Sequence, residues 1–222
     1  SKFRLLFINS IFGDFGSIAF FMAQGWLALL ITGSPFWVGA AAGCQGLGLM
    51  IFATIGGVLA DRFERRNLVI VGQIMEAVLA LGVGVLVLTD TVALWSLMLM
   101  GFLHGVSGAI RTPARNALVY DLVGKEQLLK GTAANYLVYS VVGIIGPLIT
   151  GPVLDNSLGW AYLFVATAVL IGAGVLSFLR YQAQTPGQHQ EPANRTSPWR
   201  DFVQGLSFGF KTPSIRVLVV LA

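Results

Sequence analysis

The sequence has few charged residues and almost no cysteine. Charged residues make up 11% of the 222 positions and hydrophobic residues make up 55%. About a quarter of a typical soluble domain is charged. The single cysteine, Cys44, lies in an apolar run without a partner, which excludes a disulfide framework and a cysteine-based metal site. Together with a mean hydropathy of +0.77, this composition predicts a polytopic membrane protein.

Residue patterns typical of several enzyme classes are also missing. The two histidines, His104 and His189, are far apart, and no cluster of His, Cys and carboxylates has metal-ligand spacing. No glycine-rich phosphate loop ending in Lys-Ser or Lys-Thr is present, so ATP is not the energy source encoded here. No nucleophile elbow marks a hydrolase. The sequence therefore predicts no metal, no cofactor and no enzymatic activity.

Long apolar runs alternate with short polar turns along the chain. Each run is long enough to cross a bilayer as a helix. The segment 111–130 between the fourth and fifth runs is predicted to be a longer cytoplasmic connection. The runs predict an all-α fold of six transmembrane helices at residues 5–32, 36–60, 68–88, 92–110, 131–154 and 159–179.

The basic residues indicate the topology. With a cytoplasmic amino terminus, all 14 Lys and Arg residues fall on cytoplasmic segments, and the outer turns carry only Asp90 and Asp155. Basic residues concentrate in cytoplasmic loops of membrane proteins. We therefore expect a multi-pass protein of the cell inner membrane with both ends in the cytoplasm. The same distribution explains the net charge of +4 without a nucleic-acid partner.

The composition also predicts a division of the chain. Residues 1–180 are expected to form the six-helix bundle, and residues 181–213 a cytoplasmic linker with a short amphipathic helix. Residues 214–222 are expected to begin a seventh helix, followed by a second half of similar size. The string 56–61 at the inner end of the second run resembles 151–155 at the outer end of the fifth. Such a relation indicates an inverted repeat of three plus three helices.

The turn between the second and third runs carries a recognisable pattern. Gly57 is followed after three residues by Asp61-Arg62, and then by Arg65 and Arg66. This pattern resembles the signature of the major facilitator superfamily. Segments 111–118 and 199–216 resemble the efflux branch of that superfamily, which includes enterobactin-type siderophore and macrolide exporters. The resemblance covers nearly the whole chain.

The resemblance implies a twelve-helix secondary transporter whose two six-helix halves rock around a central cavity. The function expected from it is proton-coupled export of an amphipathic small molecule, such as a drug or a siderophore. The partners expected are that substrate, protons, anionic lipids and the second half of the protein. A nutrient importer of the same fold, a polytopic membrane enzyme and a non-transporting scaffold are the alternatives.

The signature residues are expected to gate the cavity. Asp61 ends a helix, where a carboxylate is unfavourable because the helix terminus already carries partial negative charge. Either Arg111 or Arg115, or the amino terminus of a helix in the second half, is expected to compensate it. Gly57 is expected to allow close helix packing. The basic residues Arg62, Arg65 and Arg66 suit anionic lipid head groups, at about 1 kcal/mol each, or serve only to set the topology.

Three ionisable residues fall inside predicted helices: Asp14, Glu76 and His104. Intramembrane charges are costly unless they are neutralised or line water, so each is a candidate for proton coupling. Each also has a structural interpretation, as a side chain hydrogen-bonded within the bundle. Helical spacing places further polar residues beside them as candidates for lining the substrate cavity: Ser10, Ser17 and Gln24 in the first helix and Ser107 in the fourth.

The fifth predicted helix contains Gly143, Gly146, Pro147 and Gly151, which resemble the Gly-Pro motif of antiporters. The resemblance favours antiport. The alternative is a kinked, closely packed helix, tolerated because neighbouring helices satisfy the freed carbonyls. Near the inner end of the same helix, candidate substrate contacts are Asn135, Tyr136 and Tyr139.

Overall fold

A computed structural model describes residues 2–179, and these residues form five helices. Each is long and apolar enough to cross a membrane, and the described residues include no strand, so the predicted all-helical membrane protein is confirmed for this range. The predicted linker and seventh helix lie outside the described residues. The helices are α1 (Lys2–Thr32), α2 (Pro35–Arg62), α3 (Arg65–Leu88), α4 (Leu94–Asn156) and α5 (Leu158–Ser177).

Short turns reverse the chain between the first helices, where the sequence predicts them. Gly33 follows α1 with a φ of 66°, and Pro35 occupies the first turn of α2, where its missing N–H is not needed. Helix α2 is capped at its carboxyl end by a hydrogen bond from Phe63 N to Leu59 O at 2.9 Å, and α3 begins two residues later. Asp90, with a φ of 54°, lies in the turn before α4. Consecutive helices are therefore antiparallel.

Helix α4 is folded in two at Gly124. Its 63 residues would extend about 95 Å as a straight helix, roughly three times the thickness of a bilayer core. Gly124 has φ 72° and ψ 175°, a conformation that interrupts the helix. A Cβ added to Gly131 would lie 3.1 Å from Cγ1 of Val119, although these positions would be about 18 Å apart along a straight helix. Two limbs, α4a (residues 94–123) and α4b (residues 125–156), thus lie side by side.

The predicted connection at 111–130 is therefore wrong. Helix α4a continues without interruption past position 110, and the reversal is confined to Gly124. Arg111 is buried and Arg115 is partly buried inside the bundle. A hydropathy pattern indicates the end of a membrane helix at its first charged residues. Here the first two charges, Arg111 and Arg115, remain inside the bundle because they pair with carboxylates of other helices. Both arginines therefore belong to the helical bundle and not to a solvated connection.

Two apolar clusters form the core, one at each end of the bundle. One end, termed the basic end, holds the turn with Arg62, Arg65 and Arg66 together with Gly124. The cluster at this end includes Leu6, Val69, Leu118 and Leu176. The other cluster includes Phe20, Val83, Leu97 and Tyr162. On α1, α3 and α4a alike, buried polar residues occupy the positions between the two clusters: Asn9, Ser10, Asp14, Gln73, Glu76, His104, Ser107 and Arg111.

Helices α2 and α4a approach until their backbones touch. A Cβ added to Gly56 would lie 2.0 Å from Ala109 O, and one added to Gly48 would lie 2.2 Å from Phe102 O. The contact is reciprocal, because a Cβ on Gly105 would lie 2.0 Å from Gln45 O. Small residues allow this kind of packing between membrane helices. Gly57, the next residue after Gly56, has no described atom within 4 Å of an added Cβ.

Candidate functional site

A cleft of about 540 Å³ opens beside the buried polar layer. Residues from α1, α2, α3 and both limbs of α4 line it, so it lies where these helices converge. It brings together nine of the residues predicted as candidate site residues from sequence: Asp14, Ser17, Glu76, His104, Arg111, Arg115, Asn135, Tyr136 and Tyr139.

Glu76 is the centre of a hydrogen-bonded network that joins three helices. Its side chain is 1% exposed and lies midway along α3. Ser17 of α1 donates its hydroxyl to Oε1 at 2.6 Å, and Arg111 of α4a places Nη1 3.6 Å from Oε2. Arg111 also donates from Nη2 to Ser17 Oγ at 2.7 Å. A buried carboxylate is thus matched by a guanidinium and a hydroxyl, which is what burial of a charge requires.

His104 borders the same carboxylate. Its Nε2 lies 3.4 Å from Glu76 Oε1, and its ring stacks on Phe20 with centroids 4.3 Å apart and planes 12° apart. The other ring nitrogen, Nδ1, has no hydrogen-bond partner in the described part of the chain. His104 is therefore held by one acid and one aromatic ring, with a free nitrogen in the cleft wall.

A second acid–base pair lies closer to the basic end. Arg115 of α4a forms an ion pair with Oδ1 of Asp14 on α1. Asp14 Oδ2 and Arg115 Nε have no hydrogen-bond partner among the described residues. One turn earlier on α1, Ser10 donates to Asn135 Oδ1 on α4b at 3.2 Å. Adjacent turns of α1 thus fasten both limbs of α4 at nearly the same depth.

Three of the predicted cavity residues face neighbouring helices instead of lining this cleft. Ser107 donates to Gly72 O at 2.7 Å, and Gln24 donates from Nε2 to Leu97 O at 3.1 Å. Ser10 is engaged by Asn135 and lies outside the cleft lining. Of the stripe predicted on α1, Asp14 and Ser17 line the cleft, whereas Ser10 and Gln24 bind adjacent helices.

The basic signature residues divide into two groups. Arg65 donates to Asp121 and, at 3.2 Å, to Ala117 O. Arg66 donates from Nε to Leu176 O at 3.1 Å and from Nη2 to Ser177 O, at the last carbonyls of α5. Both arginines therefore fasten helices within the bundle. Arg62, by contrast, is exposed at the end of α2.

Asp61 is exposed beside Arg62 and makes no ion pair with any residue in the range 2–179. The expectation that Arg111 or Arg115 compensates it is wrong in this structure, since Glu76 and Asp14 engage those two arginines. The acids of α1 and α3 that bind the two arginines are far from Asp61 in sequence, so their competition for Arg111 and Arg115 is visible only in the packed bundle. The other predicted partner of Asp61, the amino terminus of a helix in the second half, stays a prediction.

The Gly-Pro segment of α4b leaves bare helix surface. Added Cβ atoms on Gly143 and Gly151 would meet no described atom within 4 Å. At Gly146 the nearest atom would be Ile18 Cγ2, at 3.6 Å. The helix continues through Pro147, and Thr150 donates its hydroxyl to Gly146 O at 2.8 Å. Two of the three glycines therefore have open space around them, and Gly151 borders a cavity that is also lined by residues of α1 and α2.

Other polar residues of the layer did not emerge as candidates from the sequence. Asn9 donates from Nδ2 to Gln73 Oε1 and to Gly172 O, both at 2.8 Å. Gln45 lines the cleft, and its Oε1 has no partner within the described range. Each is a single amide in a long apolar run, which is the signal that would have identified it. Within residues 2–179, no group of three His, Cys, Asp or Glu side chains is placed to hold a metal ion.

Comparison with known proteins places this bundle in a family. The family described as transmembrane secretion effector matches residues 1–222. The enterobactin exporter EntS of Escherichia coli O1:K1 is 25% identical over 193 residues, which cover 86% of this chain and 45% of that protein. The enterobactin exporter of Shigella boydii serotype 18 gives the same values. The chain thus spans less than half the length of these relatives. It belongs to the transmembrane secretion effector family of the major facilitator superfamily.

Proposed function

We propose that this chain forms the amino-terminal half of a proton-coupled exporter of an amphipathic small molecule. The observation that carries the proposal is the cleft, in which two buried carboxylates on α1 and α3 are each paired with an arginine of α4a. Buried ionisable pairs beside a cavity are typical of transport pathways in membrane proteins. The family description and the export function named for the relatives support outward transport.

The proposed topology has six crossings, with both ends in the cytoplasm of a cell bounded by an inner membrane. The fold of α4 at Gly124 supports it, because each limb is long enough to cross a bilayer. The basic end then faces the cytoplasm, in agreement with the usual distribution of arginine. An inverted repeat of three plus three helices follows the same proposal. Residues 181–213 would form the linker and residues 214–222 the start of the seventh helix.

Proton coupling is proposed to act through the ion pairs. In this structure Asp14 is paired with Arg115, and Glu76 is paired with Arg111. When the two halves rock, a small shift of α4a against α1 and α3 separates the pairs. A buried carboxylate without a counter-ion favours its protonated form. Loading and release of a proton are thereby linked to alternating access, with His104 as a third titratable group in the same wall.

The signature turn is proposed to act as the cytoplasmic gate. Asp61 is exposed and has no ion pair within residues 2–179, and Gly57 presents a bare helix surface next to it. Both features suit docking of a helix amino terminus from the second half, which would offer the positive charge that Asp61 requires. Arg62, exposed on the same turn, is the residue best placed to meet anionic lipid head groups.

Efflux measurements on the full-length protein test the function. In everted vesicles with an imposed pH gradient, candidate substrates should accumulate in an uncoupler-sensitive way, whereas right-side-out vesicles should show no uphill uptake. Asp14→Asn should abolish the gradient-driven component without loss of folded protein. Asp90→Asn, in the exposed turn before α4, is the matched control and should behave as the parent. Uphill uptake into right-side-out vesicles would indicate an importer, and unchanged efflux by Asp14→Asn would remove Asp14 from coupling.

A further inference from the structure

The charges of the cleft are arranged so that its arginines are more accessible than its acids. We propose that the cleft receives an amphipathic organic anion and discriminates against organic cations. This inference rests on the proposed function, because the ligand is taken to be the transported molecule. It goes further by assigning the sign of the substrate charge.

The four charged side chains of the cleft differ in how much of their surface is accessible. The side chains of Arg111 and Arg115 are 10% and 15% exposed, whereas those of Glu76 and Asp14 are 1% and 2% exposed. All four lie in the wall of the same cleft. The two arginine side chains therefore present more surface than the two carboxylates with which they are paired.

The hydrogen-bonding capacity that is left over also suits an anion. Arg115 binds Asp14 through Nη1, so its guanidinium retains N–H donors. The Nε donor of Arg115 and the Oδ2 acceptor of Asp14 have no partner among the described residues, and both atoms are buried. Charge-assisted hydrogen bonds from guanidinium to an oxyanion are among the stronger polar contacts in proteins. Glu76 is engaged by Arg111, Ser17 and His104, and Asp14 is engaged by Arg115. An organic cation would therefore have to compete with a guanidinium for either acid.

The rest of the cleft suits an apolar, aromatic body. Phe21, Leu49, Tyr136 and Tyr139 line it, and all four are exposed. The volume of about 540 Å³ lies in the range of pockets that hold drug-sized molecules. Aromatic side chains bind such bodies by stacking and apolar burial, while a few placed polar groups fix their orientation. The cleft therefore combines aromatic and apolar lining residues with the side chains of Arg111 and Arg115.

Two xanthene dyes of similar size and opposite charge test this assignment: carboxyfluorescein as the anion and rhodamine 123 as the cation. Binding to the purified full-length protein is measured by fluorescence anisotropy in detergent. We expect the parent to bind the anion at least about tenfold more tightly, the usual value of one charge-assisted hydrogen bond. Equal affinities, tighter binding of the cation, or no binding of the anion would overturn the inference.

Variants of the pair at Asp14 and Arg115 provide a test of sign. Asp14→Asn releases Arg115 from its partner and should tighten binding of the anion several-fold, by about one charge-assisted contact. Arg115→Gln should weaken it about tenfold, and so should the double variant Asp14→Asn/Arg115→Gln, which keeps the polar layer neutral. Arg4→Gln, an exposed change at the start of α1, is the control for lost positive charge and should leave the affinity unchanged. Elution from size exclusion verifies folding.

The outcomes separate this inference from the proposed function. If Asp14→Asn weakens the anion or tightens the cation, the assignment of charge is wrong. A protein that exports rhodamine 123 under a pH gradient and ignores carboxyfluorescein remains an exporter, and only the inference fails. A protein that binds the anion as expected and moves neither dye in either vesicle orientation contradicts the proposed function.

Discussion

Arg111 of α4a and Glu76 of α3 face each other in the interior of the bundle, with Nη1 3.6 Å from Oε2, and Ser17 of α1 is hydrogen-bonded to both. Three helices that are distant in sequence therefore meet at one buried charge. Burial of an unpaired charge is unfavourable, so each partner is required by the other two.

Removal of one partner of this pair should be more harmful than removal of both. Glu76→Gln leaves the buried Arg111 without a counter-ion, and such a change costs about 3–5 kcal/mol in proteins. The double variant Glu76→Gln/Arg111→Gln should recover a large part of the loss. Thermal unfolding of the full-length protein in detergent gives the comparison as a double-mutant cycle. Equal losses for the single and double variants would show that the charge pairing does not stabilise the fold.

Gly56 and Gly57 are adjacent and should respond differently to alanine. A Cβ at Gly56 would lie 2.0 Å from Ala109 O, so Gly56→Ala must force α2 away from α4a, at about 1–3 kcal/mol. Gly57→Ala meets no described atom within 4 Å and should change stability by less than about 1 kcal/mol, the helix-propensity difference. Both are measured by thermal unfolding. If Gly57→Ala also abolishes efflux while leaving stability intact, the proposed gate is supported.

Arg66 should stabilise the end of α5. Its guanidinium donates to Leu176 O and Ser177 O, the last carbonyls of the helix. Leu176 O also accepts from Leu179 N at 3.0 Å. Arg66→Ala should cost about 1–2 kcal/mol, the range for a cation at a partly buried helix terminus. Hydrogen exchange in the last turn of α5 should accelerate. Arg62→Ala, exposed on the same turn, is the control, and an equal effect from it would contradict the capping role.

Gly124 should resist substitution because of its backbone. With φ 72° and ψ 175°, it occupies a region that only glycine adopts without strain. Gly124→Ala should cost about 1–3 kcal/mol or lengthen the reversal between the limbs of α4. Gly174→Ala is the control, since Gly174 lies in α5 with open space around an added Cβ. Thermal unfolding measures both, and equal stabilities for the two variants would show that the reversal tolerates a side chain.

The extent of the helices was predictable because it depends on local properties. Long apolar runs, Gly33 with Pro35, and the charged turn after Asp61 indicate where membrane helices begin and end. The reversal at Gly124 was not predicted, since a single glycine between two polar stretches gives no distinct signal. The structure shows it in the φ and ψ of Gly124 and in the close approach of Gly131 to Val119.

The sequence predicted which residues belong to the candidate site better than it predicted which of them form ion pairs with each other. The isolated ionisable residues Asp14, Glu76 and His104 stand out in apolar runs, and they lie in the wall of one cleft. Their partners were not recognisable, because Arg115 and Arg111 follow the apolar part of their own helix and look like its solvated end. Which distant residues form pairs depends on how the helices pack against each other. The spacing of residues within one helix gives no information about that packing.

The glycine contacts between α2 and α4a have a mechanical consequence. Gly48, Gly56 and Gly105 bring main chain against main chain, so no rotamer change between the two helices is available to absorb a displacement. A displacement of α4a must therefore move α2 with it, so the two helices form one rigid unit. Both Arg111 and Arg115 lie on α4a. A rigid-body displacement of this unit would therefore separate both ion pairs, with Glu76 and with Asp14, at the same time, and neither ion pair would break alone.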